Sequence, residues 1–139
     1  MSGFKWLNQD GFEIHLDHKD PTQSYFDNST LIVGQNIKHD LHWARRIGVD
    51  ISNVCVWDTQ IAEFLFSKQS KRYPSLNYAC EKYNLPPKVD VIENDYWSKG
   101  IDTDEIPLDV LAHYLVEGDL DRTERVFKEQ VFLFKGINI

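Results

Sequence analysis

A carboxylate follows a short apolar run in the first third of the chain. Residues 31–33 are Leu, Ile and Val, Gly34 releases the backbone after them, and Asn36 is a residue type that caps helices. Asp40 then falls in the first turn of the helix that Asn36 would begin. This order predicts that Asp40 is presented at the carboxyl end of a buried strand, where α/β sheets carry their functional groups.

A second group that could do chemistry is the polar and basic stretch over residues 67–74. It contains the densest basic group of the chain with an aromatic residue beside it, namely Lys68, Lys71, Arg72 and Tyr73. Cations and an aromatic ring together can guide a single nucleic-acid strand by charge and by base stacking. A loop that is merely solvated explains the same composition, and both interpretations stay open.

Other acidic and histidine residues are better explained by structure than by catalysis. Glu13 and His15 would share one face of a strand and fit a solvated edge. The group His15, Asp17, His18 and Asp20 crowds one loop without the spacing of a metal site. Asp58 stands at the start of a predicted helix, and we interpret it as an N-cap rather than as a catalytic acid.

The composition limits the class of protein that carries these groups. With 139 residues, 42% of them hydrophobic and 27% charged, the chain fits one soluble globular domain. Its net charge of −7 argues against a general electrostatic nucleic-acid binder. A nuclease is still compatible with that charge, because its active site is acidic and collects divalent metal ions. We see no CxxC pair, signal peptide or membrane-spanning apolar run, and we expect a cytoplasmic protein without membrane contact.

Hydrophobic periodicity predicts the elements that position the candidate groups. A hairpin of period two is followed by repeated strand–helix units, which indicates a mixed α/β fold with a parallel strand pair. We predict strands near residues 4–7, 12–16, 31–34 and 54–57. We predict helices over 36–47, 58–67, 75–83 and 107–132, a short helix or turn over 21–29, and an irregular acidic connection over 88–105.

Two runs of the sequence resemble the motifs of a known enzyme family. The run over residues 31–41 closely resembles the second motif of the DEDD 3′→5′ exonucleases, in which Asn is followed by two or three residues, an aromatic residue and then Asp. The run over 114–123 resembles the third motif, with Asp119 as the matching carboxylate. The likeness covers nearly the whole chain. It is closest to the proofreading domains of family A, DNA polymerase I-like enzymes, especially those of phages.

The resemblance implies a fold, a reaction and a set of site residues. The fold would be a ribonuclease H-like mixed sheet flanked by helices, and the reaction a two-metal hydrolysis of phosphodiester bonds. Asp40 and Asp119 would hold Mg²⁺ or Mn²⁺, and Tyr114 would orient the attacking water. Asn36 and Gln35 would contact single-stranded DNA at its 3′ end. The implied partner is a replication polymerase, in the cytoplasm of a bacterium or of a phage-infected host cell.

The first motif of the family, Asp-x-Glu, is missing before residue 31. In the family it lies on the central strand of the sheet, and the hairpin over 4–16 would correspond to the second and third strands. We therefore expect one N-terminally incomplete exonuclease-like domain over residues 1–139, without a polymerase domain. Unpaired strand edges are unfavourable, so a separate polypeptide, a second copy of the chain or a rearranged 4–7 segment would fill the central position.

Three functional hypotheses follow from these motifs. The first is a 3′→5′ exonuclease module that becomes complete when another segment or subunit supplies Asp-x-Glu. The second is a catalytically inactive descendant that binds nucleic acid or serves in assembly. His39 favours this second hypothesis, because the family usually has an aromatic residue there. The third is an unrelated small α/β interaction domain whose motifs are coincidental.

The spacing of the third motif predicts an irregular helix. Four residues separate Tyr114 from Asp119, whereas the tyrosine branch of the family has three. On a regular α-helix, residues five apart diverge by about 140°, which would turn the tyrosine away from the carboxylate. A π-bulge is the simplest way for a helix to absorb one inserted residue. We therefore predict a bulge, kink or break between Leu115 and Asp119, with Gly118 as the position where the backbone yields.

Overall fold

Short strands alternate with helices along the chain. The computed structural model describes residues 2–7, 12–15, 19–87 and 91–136. The strands are β1 (Ser2–Lys5), β2 (Phe12–His15), β3 (Leu31–Gly34) and β4 (Cys55–Asp58). The helices are α1 (Lys19–Asp27), α2 (Ile37–Arg46), α3 (Thr59–Phe66), α4 (Leu76–Lys82), α5 (Val91–Asp95), α6 (Leu108–His113) and α7 (Arg122–Lys135). A π-helix over Tyr114–Asp121 joins the last two, and short 3₁₀ turns occupy Trp97–Lys99 and Thr103–Glu105.

The described strands form two separate two-stranded sheets. β1 pairs antiparallel with β2, and β3 pairs parallel with β4. The predicted parallel pair and the mixed α/β class are therefore confirmed. In the described residues, Phe4 and Lys5 pair with β2 but not with β3, so residues 4–7 do not fill the position between β2 and β3 that one alternative gave them. The predicted hairpin turn at 8–11 falls outside the described residues.

Helices cover both faces of the β3–β4 pair. Ile32 packs against a buried cluster that includes Phe26 of α1 and Ala44 of α2. Successive strand residues point to opposite faces, and the Trp57 indole accordingly contacts α7 on the other side. Its ring meets the Phe127 ring edge-on, with centroids 5.5 Å apart. Two-sided cover is what parallel strands require, because they are apolar on both faces.

The hairpin contacts two of the same helices. The Phe4 ring stacks on Tyr25 of α1 with centroids 4.2 Å apart, and Lys5 Nζ donates to a Glu124 carboxylate oxygen of α7 at 2.6 Å. α1 and α7 therefore contact both sheets, although no strand ladder joins β1 to β3 in the described part of the chain. The side chains of β2 lie outside the description, so the solvated-edge interpretation of Glu13 stays a prediction.

A buried polar network ties β4 to three helices. Glu63 of α3 is only 2% exposed, and its carboxylate accepts hydrogen bonds from Gln130 Nε2 at 3.0 Å, from Lys82 Nζ at 2.9 Å and from the Tyr83 hydroxyl. Gln130 of α7 is also fully buried. Its Nε2 donates to a backbone carbonyl of α3 and its Oε1 accepts from Trp57 Nε1, both at 2.9 Å. Buried polar groups are tolerated when they are hydrogen-bonded in this way.

The helices follow the predictions except in the acidic connection. The predicted helices over 36–47, 58–67 and 75–83 match α2, α3 and α4 to within one residue at each end. The stretch over 88–105 is not irregular throughout, because it contains α5 and two 3₁₀ turns. Ile92 is buried, and Trp97 Nε1 donates to Thr103 Oγ1 at 3.1 Å. Across the described residues, no helix is both long and apolar enough to cross a membrane.

Candidate active site

The carboxyl ends of β3 and β4 lie side by side, and two helices begin there. Gly34 stands opposite Asp58 in the parallel register. Asp58 Oδ1 accepts from the backbone N–H of Asn36 at 3.0 Å and of Gln60 at 2.8 Å, and Oδ2 accepts from the N–H of Ile37 at 3.0 Å. The predicted N-cap role of Asp58 at α3 is confirmed. The same carboxylate also holds the start of α2, which sequence reasoning missed.

Asn36 occupies the N-cap position of α2 without capping the helix through its side chain. Its backbone is left-handed, with φ 52° and ψ 48°, and its side chain makes no cap hydrogen bond. The expectation of side-chain capping by Asn36 is wrong, because Asp58 bonds the N–H groups at this end of α2. The chain turns tightly here: a Cβ at Gly34 would come within 2.9 Å of the Ile37 side chain. The Asn36 side chain is thus left exposed at the rim of the site.

Asp40 lies in an acidic environment at the start of α2. The protein atoms around its carboxyl group displace water and raise its pKa, and the negative charges of Asp119 and Asp58 raise that pKa further. The neighbouring His39 acts in the opposite direction. The fold therefore brings Asp119, which is far away in sequence, near enough for its charge to act on the Asp40 carboxyl group. Clustered carboxylates whose repulsion is relieved by a cation are the chemistry of a Mg²⁺ or Mn²⁺ site.

The predicted helix irregularity between Leu115 and Asp119 is confirmed. A π-helix spans Tyr114–Asp121, and Gly118 is buried within it. In a helix with i→i+5 hydrogen bonds, residues five apart occupy the relation that residues four apart have in an α-helix. Tyr114 and Asp119 consequently lie on the same side, despite the inserted residue. The neighbouring Asp121 is paired with two arginines, Arg122 at 2.5 Å and Arg125 at 3.0 Å, which separates its role from that of Asp119.

Gln35 is engaged by the protein itself. Its Nε2 donates to the Pro74 carbonyl oxygen at 3.0 Å, and its Oε1 accepts from the Thr59 hydroxyl at 2.5 Å. The Gln60 side chain donates to the same Pro74 oxygen at 3.3 Å. Gln35 therefore joins the end of β3 to the loop over 67–74. Its predicted contact with substrate stays a prediction.

The basic loop is anchored beside the parallel strands and exposes its aromatic residue. Lys68 and Tyr73 both have left-handed backbone, with φ 56° and 48°, and Tyr73 is 85% exposed. Lys71 Nζ lies 4.7 Å from the centre of the Tyr78 ring, and the Arg72 side chain is exposed. The Pro74 end of this loop is therefore held beside the end of β3.

The donor set fits part of a divalent-metal site. Mg²⁺ and Mn²⁺ prefer carboxylate oxygens, which Asp40 and Asp119 provide. The Asp58 carboxylate is occupied by three backbone N–H groups and adds charge rather than a free ligand. Within the described residues, no group of three or more His, Cys, Asp or Glu side chains could hold a metal ion. Further ligands would be needed for a two-metal centre.

The fold and the site define an α/β protein with acidic groups at the carboxyl ends of its parallel strands. Residues 9–130 match the model of the 3′-5′ exonuclease family of the DNA polymerase A type, and the chain belongs to this family. The resemblance based on residues 31–41 and 114–123 is thereby confirmed. Searches of the curated proteins and of the solved structures gave no significant match.

Proposed function

We propose that the chain is a 3′→5′ exonuclease module of the proofreading type, which removes nucleotides from a DNA 3′ end. The observation that carries the proposal is that the charge of Asp119 acts on the Asp40 carboxyl group and helps to raise its pKa, in a chain of the exonuclease family. The π-helix adds support, because it keeps Tyr114 on the side of Asp119. π-Helical segments recur at functional sites.

In this proposal each residue has a separate task. Asp40 and Asp119 hold Mg²⁺ or Mn²⁺, which when bound supply an activated water and stabilise the leaving oxygen. The Tyr114 hydroxyl orients the attacking water, and Asn36 contacts the terminal nucleotide from the exposed rim. The basic loop attracts the phosphates of the single strand through its cations, and Tyr73 stacks on a base.

Completion of the site needs carboxylates beyond Asp40 and Asp119. We propose that an extended segment carrying Asp-x-Glu, outside residues 1–139 or from a partner subunit, lies between β1 and β3. Two observations support this position. In the described residues α1 and α7 contact both sheets while no ladder joins β1 to β3, and Leu31 of β3 is 37% exposed although it belongs to a parallel pair. A further strand beside β3 would partly cover this apolar side chain and pair with the open edge of β3.

An exonuclease assay tests the proposal. The substrate is 5′-labelled single-stranded DNA with Mn²⁺, given to the chain alone and to the chain with an added segment that carries Asp-x-Glu. We expect little or no digestion by the chain alone, and stepwise 3′ shortening once the segment is present. Asp119→Ala should abolish that shortening, whereas Asp95→Ala, an exposed carboxylate of α5, should leave it unchanged.

The same assay separates the two functional classes. DNA binding without cleavage, even with the added segment and Mn²⁺, would contradict the exonuclease proposal. That result would favour the inactive nucleic-acid-binding or assembly module. Cleavage that Asp119→Ala leaves intact would also contradict it, because the catalytic carboxylates would then lie elsewhere.

A further inference from the structure

Asp58 joins the first turns of two helices through one carboxylate. Its two oxygens accept three backbone N–H bonds, two from residues at the start of α2 and one from Gln60 of α3. The positive ends of both helix dipoles therefore meet a negative charge. Hydrogen bonds to an ionised acceptor are stronger and shorter than those between neutral groups. The carboxylate fixes the start of α2 relative to the start of α3.

α2 has no comparable cap of its own in the described structure. The Asn36 side chain makes no cap hydrogen bond, and its left-handed backbone is a sparsely populated conformation that needs support from its surroundings. The bond from the Asn36 N–H to Asp58 provides such support. The next residue, Ile37, is buried and packs against Gly34, so the first turn of α2 cannot shift without disturbing β3.

Asp40 lies three residues after Ile37, within the turn that Asp58 holds. We propose that Asp58 is a positioning residue of the exonuclease site, which holds Asp40 opposite Asp119 by fixing the beginning of α2. The inference rests on the proposed function for the role of Asp40. It extends that function by assigning part of the site's geometry to a residue that contacts only backbone groups.

Two substitutions separate this role from ordinary helix capping. Asp58→Asn keeps the size of the side chain but replaces one acceptor oxygen by an NH₂ donor, which faces N–H donors. Asp58→Ser offers one hydroxyl oxygen, which can cap α3 but cannot serve both helices. Asp50→Asn is the matched control, because Asp50 also accepts a backbone N–H, that of Ser52 at 2.9 Å, in a loop that begins no helix of the site.

Amide hydrogen exchange and residual dipolar couplings test the geometry directly. In both Asp58 variants we expect exchange at Asn36 and Ile37 to accelerate about tenfold or more, since charge-assisted bonds are lost. The couplings of residues 37–40 should change relative to those of α3, while Gln60 keeps its protection in Asp58→Ser. Asp50→Asn should show none of these changes. Unchanged couplings over 37–40 in folded Asp58→Ser would overturn the proposal, whether or not a metal binds.

Mn²⁺ affinity supplies a readout that capping alone would not change. We expect about tenfold weaker Mn²⁺ binding in Asp58→Ser than in the unmodified chain or in Asp50→Asn, measured by paramagnetic relaxation of the Asp40 amide. Binding equal to that of the unmodified chain would overturn the positioning role while leaving the proposed function intact. Failure of the unmodified chain to bind Mn²⁺ at Asp40 even with the added Asp-x-Glu segment would contradict the proposed function, and the dipolar couplings would still decide the role of Asp58.

Discussion

At the scale of single residues, the charge of Asp40 is unfavourable until something neutralises it. Partial removal of water and the charges of Asp119 and Asp58 all raise its pKa. The folded protein therefore holds the Asp40 proton more tightly than the unfolded chain does. It follows that the free energy of unfolding decreases as pH rises from about 3.9 through the raised pKa of Asp40. A bound divalent cation would offset the unfavourable free energy of the charged Asp40 carboxylate in the folded protein.

Asp40→Asn should accordingly stabilise the metal-free protein at pH 7. We expect Tm to rise by about 2 °C, a small effect because the side chain is solvent-accessible. The difference should vanish below the ordinary aspartate pKa, where both proteins are neutral at this position. Mn²⁺ should raise the Tm of the unmodified protein at pH 7 but not that of Asp40→Asn. Thermal melts of both proteins at pH 7 and below the ordinary aspartate pKa, each with and without MnCl₂, measure these differences in Tm.

Asp50 provides a control in which the corresponding substitution is expected to change Tm in the opposite direction. Hydrogen bonds from Ser52 lower the pKa of Asp50, so its charged form is favoured by folding. Asp50→Asn should therefore lower Tm at pH 7 and leave the Mn²⁺ response unchanged. A lowered Tm in Asp40→Asn at pH 7 would contradict the acidic-site interpretation, because it would mean that the Asp40 carboxylate is favourably paired within the protein.

At the scale of elements, the π-helix keeps Tyr114 and Asp119 on the same side although one residue is inserted between them. Each hydrogen-bonded loop of the i→i+5 pattern contains one more residue than a loop of an α-helix, so the elements before and after the π-helix keep their orientation. α6 and α7 can then hold their packing while the segment between Tyr114 and Asp119 is one residue longer. An inserted residue in the middle of a packed helix would otherwise rotate everything after it by about 100°.

Deleting Glu117 should convert the π-helix into a regular α-helix without unfolding the protein. Tyr114 and the following aspartate would then be four residues apart on an α-helix and would still share a side. We expect an unchanged or higher Tm by circular dichroism, and retained Mn²⁺ binding. A loss of folding on this deletion would show that the π geometry is not an absorbed insertion.

The matched control is a deletion of Lys128, an exposed residue within α7. That deletion would rotate Gln130 out of the buried network with Glu63. We expect the free energy of unfolding to fall by about 3 kcal/mol or more, because the buried Glu63 carboxylate would lose its hydrogen bond from Gln130. Equal effects of the two deletions would contradict the special role of the 114–121 segment.

At the scale of the whole molecule, the net charge of −7 leaves few places for a nucleic acid to bind. The basic loop is the densest group of cations in the sequence, and its Pro74 end is held beside the end of β3 by Gln35 and Gln60. DNA binding by this module should therefore depend on a small number of phosphate contacts. Such binding varies only weakly with salt, compared with proteins that neutralise many phosphates.

Replacing Arg72 by Ala should weaken the binding of single-stranded DNA irrespective of sequence. The slope of log affinity against log salt should become shallower by about 0.7, the amount expected for one phosphate contact on a single strand. Lys99→Ala removes the same charge from an exposed 3₁₀ turn and should change neither affinity nor slope. Fluorescence anisotropy of a labelled oligothymidylate over a KCl series measures both. An identical loss in the two variants would indicate a general effect of charge rather than a site.

Local patterns allowed much of the candidate site to be predicted from sequence. The order of apolar strand, glycine and asparagine located Asp40, and the extra residue before Asp119 predicted the irregular helix. The burial of Glu63 could not be predicted, because it depends on Gln130, which is far away in sequence. Hydropathy would place Ile61 inside, yet its side chain is exposed while Glu63 is buried. The bonds of Gln35 and the second cap by Asp58 likewise depend on residues that only the fold brings together.

The network around Glu63 and Gln130 has a consequence for how the molecule opens. Four elements, β4, α3, α4 and α7, share hydrogen bonds that no one of them can satisfy alone. Fraying of α7 would remove the Gln130 hydrogen bond from the buried Glu63 carboxylate and both bonds that Gln130 makes to Trp57 and Thr59, so this fraying is unfavourable. These elements therefore form one cooperative unit. β4, whose end carries Asp58, belongs to that unit, whereas none of these network hydrogen bonds involves the described residues of β1 and β2.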